Sequence, residues 1–405
     1  MKYIFAFTIF FLTSQAQASD KIIRIYQDAD LSNHVESSTA IQKGIEVAFD
    51  EINNEIDGYK LEFKYLDHRG NVVRSKQNYQ KFLNDDKALA IYSGIHSPPL
   101  ITNREFINKN KALTLVPWAA GGPITRYPSP ENWVFRLSVD DTHAGGVIID
   151  SAINDKQCQS PHLLLEGTPW GDSNLKSMSA ALINHGIKNP NVTRFGWNSS
   201  EQSARIMVRK IINAESDCII LVANAVEGAF ITQAVINLPE NQRIPIISHW
   251  GITGGDFHEK ITKDKRDKID LTFIQSCFAF TNSQQNEISG TVFNRLKQLH
   301  PNIQSPNDLK SAVGFIHAYD ITKLLIQAIQ QNGLSGDIEK DRNNIRIALE
   351  NLKQPVQGLI KTYDKPYSVF DTDNNKDAHE ALGVDDYCMA QYGDSDEILI
   401  TEPKI

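Results

Sequence analysis

The chain has no glycine-rich phosphate loop, neither GxGxxG nor GxxxxGK[ST], so neither of the backbone cradles that hold nucleotide phosphates is present. It also lacks a GxSxG elbow and an HExxH helix, the usual signposts of a serine hydrolase or a zinc protease. Cysteines number four, with no CxxC pair and no Cys/His cluster at metal-ligand spacing, which argues against a zinc or thiol-redox centre. His249 and His258 lie nine apart without a third ligand, and the adjacent His96 and Ser97 do not align for proton transfer from a turn. Catalysis is therefore not expected, and no cofactor is implied. Positive charge is in deficit: 41 Lys and Arg against 49 Asp and Glu give −8, which disfavours nucleic acid and anionic lipid as partners. Past the N-terminus no apolar run is long enough to span a bilayer, and there is no tandem repeat.

What is present begins with an export signal. Lys2 supplies a positive n-region, residues 4–12 a short apolar stretch, and Ala16-Gln17-Ala18 a small-x-small cleavage site, so the mature chain is expected to begin at Ser19 in the periplasm. That compartment permits disulfides among Cys158, Cys218, Cys277 and Cys388. Cys158 and Cys218 each precede or open an expected strand and could meet at one sheet edge, although buried free thiols fit the same positions. The connectivity stays open.

Strands and amphipathic helices alternate from residue 22 to about 248. Strands are expected at 22–27, 61–66, 88–93 and 112–116, then again at 161–166, 191–195, 217–222 and 244–248. The first helix places Ile41, Ile45, Ala48, Phe49 and Ile52 on one face, with Thr39 as its N-cap and Gln42 completing a capping box. Ser97 is expected to cap the helix that Pro98 opens. Such alternation means parallel sheets with right-handed crossovers, and a mature length near 385 residues means two domains, dividing near 140–146. Ligands of open parallel sheets gather at the carboxyl ends of strands. That rule selects the loops at 94–97, 117–122, 167–172, 223–227 and 249–251, which carry Trp118, Trp170, Trp250, His96 and His249. Three of the five tryptophans fall there, with core packing at the domain interface as the rival reading.

Four pieces in order then resemble the leucine/isoleucine/valine-type periplasmic binding proteins, the solute receptors of ABC importers. They are Gly44-Ile45-Glu46-Val47-Ala48-Phe49-Asp50-Glu51-Ile52-Asn53, Phe135-Arg136 with Asp141, Ala318-Tyr319-Asp320, and Gly358. The resemblance implies an α/β fold of two doubly wound parallel-sheet lobes joined by three crossings, closing on a ligand. Carried onto this chain, lobe one is 19–140 plus 279–333 and lobe two is 141–278 plus 334–366. Residues 367–405 depart from the family and receive no role.

In amino-acid-binding relatives the ligand carboxylate meets a serine, backbone N–H groups and a threonine. The resemblance places the serine at Ser97 and a backbone donor at Ala119, but Ala120 replaces the threonine. A lost hydrogen bond to a charged group typically costs ~1.5–3 kcal/mol, so the pocket is expected either to bind a carboxylate differently or to take a different functional group. Asp141 matches an acidic partner of the ligand ammonium, with a hinge role as its rival. Trp170 and Asn224 stand where relatives have tyrosines, and Trp250 where one has glutamate, flanked by His249. With Trp118 and His96, the pocket gains indole and loses carboxylate, which favours a flat, apolar or cationic ligand. A monomeric receptor for an ABC permease is the leading expectation. A sensor presenting its closed form to a membrane signalling receptor is the alternative, suggested by the unusual tail and altered pocket. An exported hydrolase is the third.

Overall fold

The computed structural model describes residues 21–197, 199–282 and 286–401, so the expected leader lies outside the described residues. The first run is β1 (Ile22–Ala29), α1 (Val35–Asp50), β2 (Glu55–Ile56), β3 (Tyr59–Asp67), α2 (Val72–Leu83), β4 (Ala88–Ser93), α3 (Ser97–Lys109), β5 (Thr114–Val116) and β6 (Val134–Arg136). Its sheet has the order β2-β3-β1-β4-β5-β6, parallel except for the short β2–β3 hairpin. β4 is buried along its whole length, as an apolar strand covered on both faces should be.

α1 begins four residues before the capping box expected at Thr39. Its N-cap is His34, and the Thr39 hydroxyl instead donates to the Val35 carbonyl at 2.8 Å. The cause lies upstream. The Asp30 carboxylate accepts from the Asn33 backbone N–H at 2.9 Å, and this Asx turn folds the chain into the helix as soon as β1 ends. Ser97 is likewise the first residue of α3, with His96 at the N-cap.

After a first crossing come α4 (Asp141–Asp150), β7 (Pro161–Glu166), α5 (Pro169–Asn184), β8 (Asn191–Phe195), α6 (Glu201–Asn213), β9 (Cys218–Val222), α7 (Ala225–Ile236), β10 (Ile246–Ser248), two single-turn helices, α8 (Phe257–Lys260) and α9 (Lys263–Arg266), and β11 (Leu271–Ser276). Here β8, β7, β9, β10 and β11 lie side by side, all parallel.

The chain then returns to the first lobe with α10 (Ser289–Leu299) and α11 (Ala312–Asn332). α11 packs along α1, where a Cβ on Gly44 would stand 2.4 Å from the Phe315 carbonyl oxygen; glycine is what permits that approach. α12 (Ile338–Leu349) and the β12 (Val356–Gln357)–β13 (Thr362–Tyr363) hairpin follow. The expectation that 334–366 belongs to lobe two is corrected here. Arg342 of α12 donates from Nε to the Ala88 carbonyl of β4 at 2.8 Å, and α12 lies beside α11. Its buried face, Ile345, Ala348 and Leu349, is satisfied on lobe one.

The tail has a structural role that sequence reasoning missed. His379 and Ala381 pair with both backbone groups of Arg136, at 2.9 and 3.0 Å, which extends the first sheet beyond β6. β14 (Tyr387–Tyr392) and β15 (Ile398–Thr401) then add to the second sheet, antiparallel beside β11. Three passages therefore join the lobes, after β6, after β11 and before β14. Two disulfides form: Cys158–Cys218 at the start of β9, and Cys277–Cys388 between the second passage and β14. Among the described residues no helix is long and apolar enough to cross a membrane.

Candidate ligand-binding cleft

Strand order reverses between β1 and β4 in the first sheet and between β7 and β9 in the second. Doubly wound sheets bind ligands at such switch points, beyond the carboxyl ends of the strands. The two switch points face each other across one cavity. Lobe one contributes Ile95, His96, Ser97, Pro98, Trp118 and Ala120; lobe two contributes Glu166, Trp170, Asn224, Trp250 and Gly251. The indoles occupy most of the space, with Trp118 and Trp250 ring centres 5.8 Å apart. About 10 Å³ is left for the centre of a water molecule, which is room for roughly one water. The lobes are therefore closed on their own side chains.

Local sequence explains the placement. Pro169 opens α5 behind the Thr168 N-cap, which sets Trp170 in the first turn, facing the cleft. Neighbouring glycines make room: a Cβ on Gly251 would sit 2.7 Å from the Trp170 ring, and one on Gly314 2.8 Å from Trp118. Ser97 lies over the loop after β5, its hydroxyl accepting the Gly121 N–H at 3.0 Å. Asn224 is the N-cap of α7 and donates to Glu166 Oε2 at 3.1 Å. The other Glu166 oxygen accepts from Thr168 at 2.8 Å. Burial pushes the Glu166 carboxyl above its usual range, against the pull of these donors.

Seven of the expected site residues line this cavity: His96, Ser97, Trp118, Ala120, Trp170, Asn224 and Trp250. Asp141 and His249 stand one layer behind. Asp141 Oδ1 meets His249 Nε2 at 2.9 Å and the Trp170 indole N–H at 3.4 Å, while its Oδ2 is buried without a hydrogen bond. Ala119 is not in the lining. Its carbonyl accepts from Arg136 and its methyl packs under the sheet with Leu100 and Val116, so only its backbone N–H, the group expected to act as donor, is left to face a ligand. Glu166 lies one residue before the expected loop at 167–172; it is the last residue of β7, where the carboxyl-edge rule also points.

The passage between lobes is charged and buried. Arg136 pairs bidentately with Glu380, both bonds at 2.7 Å, and with Asp140 at 2.7 Å. Arg126 reaches Asp140 and Asp377. Burial alone would raise the Asp140 carboxyl, but Arg136 and Arg126 hold it below its usual range.

Comparison with known proteins identifies the family. The periplasmic binding protein family profile matches residues 32–381. The chain belongs to that family. No curated protein sequence matches it. Among solved structures, periplasmic binding protein type 1 from Bordetella pertussis Tohama I is 18% identical with a TM-score of 0.77, over 94% of this chain and 100% of that one. The branched-chain amino acid transporter substrate-binding protein LivJ from Streptococcus pneumoniae, in complex with isoleucine, is 18% identical with a TM-score of 0.71. It covers 95% of this chain and 100% of its own. An ABC transporter solute-binding protein from R. palustris, in complex with 4-hydroxybenzoate, is 15% identical with a TM-score of 0.75, over 93% of this chain and 95% of that one. These likenesses establish that the family's two-lobed fold is the fold of this chain.

Proposed function

We propose that this chain is a monomeric periplasmic receptor that captures a small organic molecule between its lobes and delivers it to an ABC importer. The observation that carries the reading is the meeting of two switch points across one indole-lined cavity. Relatives of the fold hold isoleucine and 4-hydroxybenzoate. Three indoles, with alanine in place of the threonine expected at 120, favour the flat aromatic class over a branched-chain amino acid. Ser97 has its hydroxyl engaged by the Gly121 N–H, the arrangement of a positioned binding group, which supports binding without turnover. Sensing loses its main sequence argument, since the tail serves as a passage between lobes and as sheet edge.

Ligand entry requires the lobes to part, and the ligand then shifts the open–closed equilibrium by its differential affinity for the closed form. Calorimetry with 4-hydroxybenzoate, benzoate and isoleucine, beside native mass spectrometry for a co-purified molecule, tests the reading. Ser97→Ala and Trp170→Ala are each expected to weaken capture at least tenfold with the fold intact by circular dichroism. Unchanged affinity in both variants refutes the cleft assignment.

A further inference from the structure

We propose that Asp30, His34 and His96 bind one divalent first-row transition-metal ion, of the zinc class, at the lobe-one edge of the cleft. The three residues come from separate elements that meet at the switch point of the first sheet. Asp30 follows β1, His34 caps α1, and His96 closes the loop after β4. Each offers one ligand atom, and these atoms all lie within 4.8 Å of one another. Asp30 Oδ2 and His96 Nε2 are 3.4 Å apart. Two donors placed about 2.0–2.1 Å from a tetrahedral ion are separated by about 3.4 Å, so this pair already has the spacing such an ion requires.

An independent observation points the same way. His96 is only 5% exposed, and its Nε2 is buried without a hydrogen bond, although Asp30 stands beside it. A buried ring nitrogen is rarely left so, and an ion shared with Asp30 would satisfy it. The carboxylate is pre-oriented, since Asn33 donates to it from both backbone and side chain, the outer support that metal-ligating carboxylates usually have. The His34 ring stands edge-on to His96 with centroids 4.6 Å apart; the His68 and Trp197 rings lie 5.8 and 5.1 Å from it. Two imidazoles and one carboxylate select a transition ion over calcium or magnesium. No local spacing signals the site, because the ligands are 4 and 62 residues apart along the chain.

Three protein ligands leave a coordination position open. His96 also lines the cleft, so that position faces the solute, and one carboxylate with two neutral imidazoles leaves the bound ion a net positive charge. An anionic group such as a carboxylate would fill it, replacing the hydroxyl donor that Ala120 cannot supply. This consequence rests on the cleft reading above; metal uptake itself does not.

The test uses the mature protein stripped with a chelator, titrated with Zn²⁺ by calorimetry and with Co²⁺ by visible absorption. One equivalent is expected, with cobalt d–d bands that Zn²⁺ displaces. His96→Gln and Asp30→Asn should each lower the affinity at least tenfold. His34→Asn should do the same and, because asparagine is a good N-cap, should keep the fold. His185→Gln, at an ion pair outside the cluster, should change nothing. Absence of stoichiometric binding, or unchanged affinity in His34→Asn and His96→Gln, overturns the site. Benzoate capture that proceeds in a protein taking up no metal overturns it while leaving the cleft reading intact. Metal uptake lost in the three variants, with no solute captured, supports the site and defeats the cleft reading instead.

Discussion

At the scale of single residues, buried charge is where the largest effects are expected. Arg136 is fully buried between Glu380 and Asp140, so Arg136→Ala leaves two carboxylates sharing the partly exposed Arg126. Breaking a buried ion pair from one side costs about 3–5 kcal/mol, and urea unfolding should show a loss of that size. Asp28 behaves differently. Burial pushes its carboxyl up to about 7, although Ser75 and Asn78 donate to it. An unfolded aspartate ionises near 3.9, so between about pH 4 and 7 the folded chain holds a proton that the unfolded chain has released. Stability from this group therefore falls as pH rises through that window. Asp28→Asn should flatten the difference in unfolding free energy between pH 5 and 8 by on the order of 1–3 kcal/mol; an equal or steeper dependence contradicts the assignment. Of these groups, sequence reasoning found Arg136, through its place beside Phe135, but not Glu380, 244 residues away. Nor could it find the orphan oxygen of Asp141, because hydrogen-bond satisfaction is a property of packing and not of spacing.

Among elements, close approach and covalent ties decide the behaviour. Gly44→Ala forces α1 and α11 apart, since the new methyl meets the Phe315 carbonyl. Overpacking of that kind costs about 1–3 kcal/mol, visible as a lower thermal midpoint. The Cys277–Cys388 disulfide closes a 111-residue separation and anchors β14 to the passage after β11. Cys277→Ser with Cys388→Ser should cost about 2–5 kcal/mol in chemical denaturation. The parallel strands were legible because apolar runs of five or six residues between amphipathic helices leave few alternatives. The start of α1 was not, because an Asx turn at Asp30 outran the capping box at Thr39. The position of α12 was also illegible: its amphipathic face says that it must pack, not on which lobe.

For the whole molecule, the question is how two lobes already in contact admit a guest. Lys310, just before α11, reaches across to His258 at 2.8 Å and Glu259 at 3.3 Å in lobe two. An exposed tie of this kind is worth about 0.2–1 kcal/mol. Lys310→Ala should therefore favour the open form and weaken ligand affinity about two- to fivefold, as read by calorimetry. Trp118, Trp170 and Trp250 line the cavity while Trp133 is buried in the core cluster, so ligand binding should change the intrinsic fluorescence, and a Trp133→Phe variant should keep that change. Three passages between lobes would ordinarily bend independently. Here the second and third are riveted together beside β14 by a sulfur–sulfur bond, so they are expected to swing as one strap. Protein produced in a reducing cytosol would lack that rivet, and its opening motion and solute affinity are expected to differ from those of the oxidised form even where both fold.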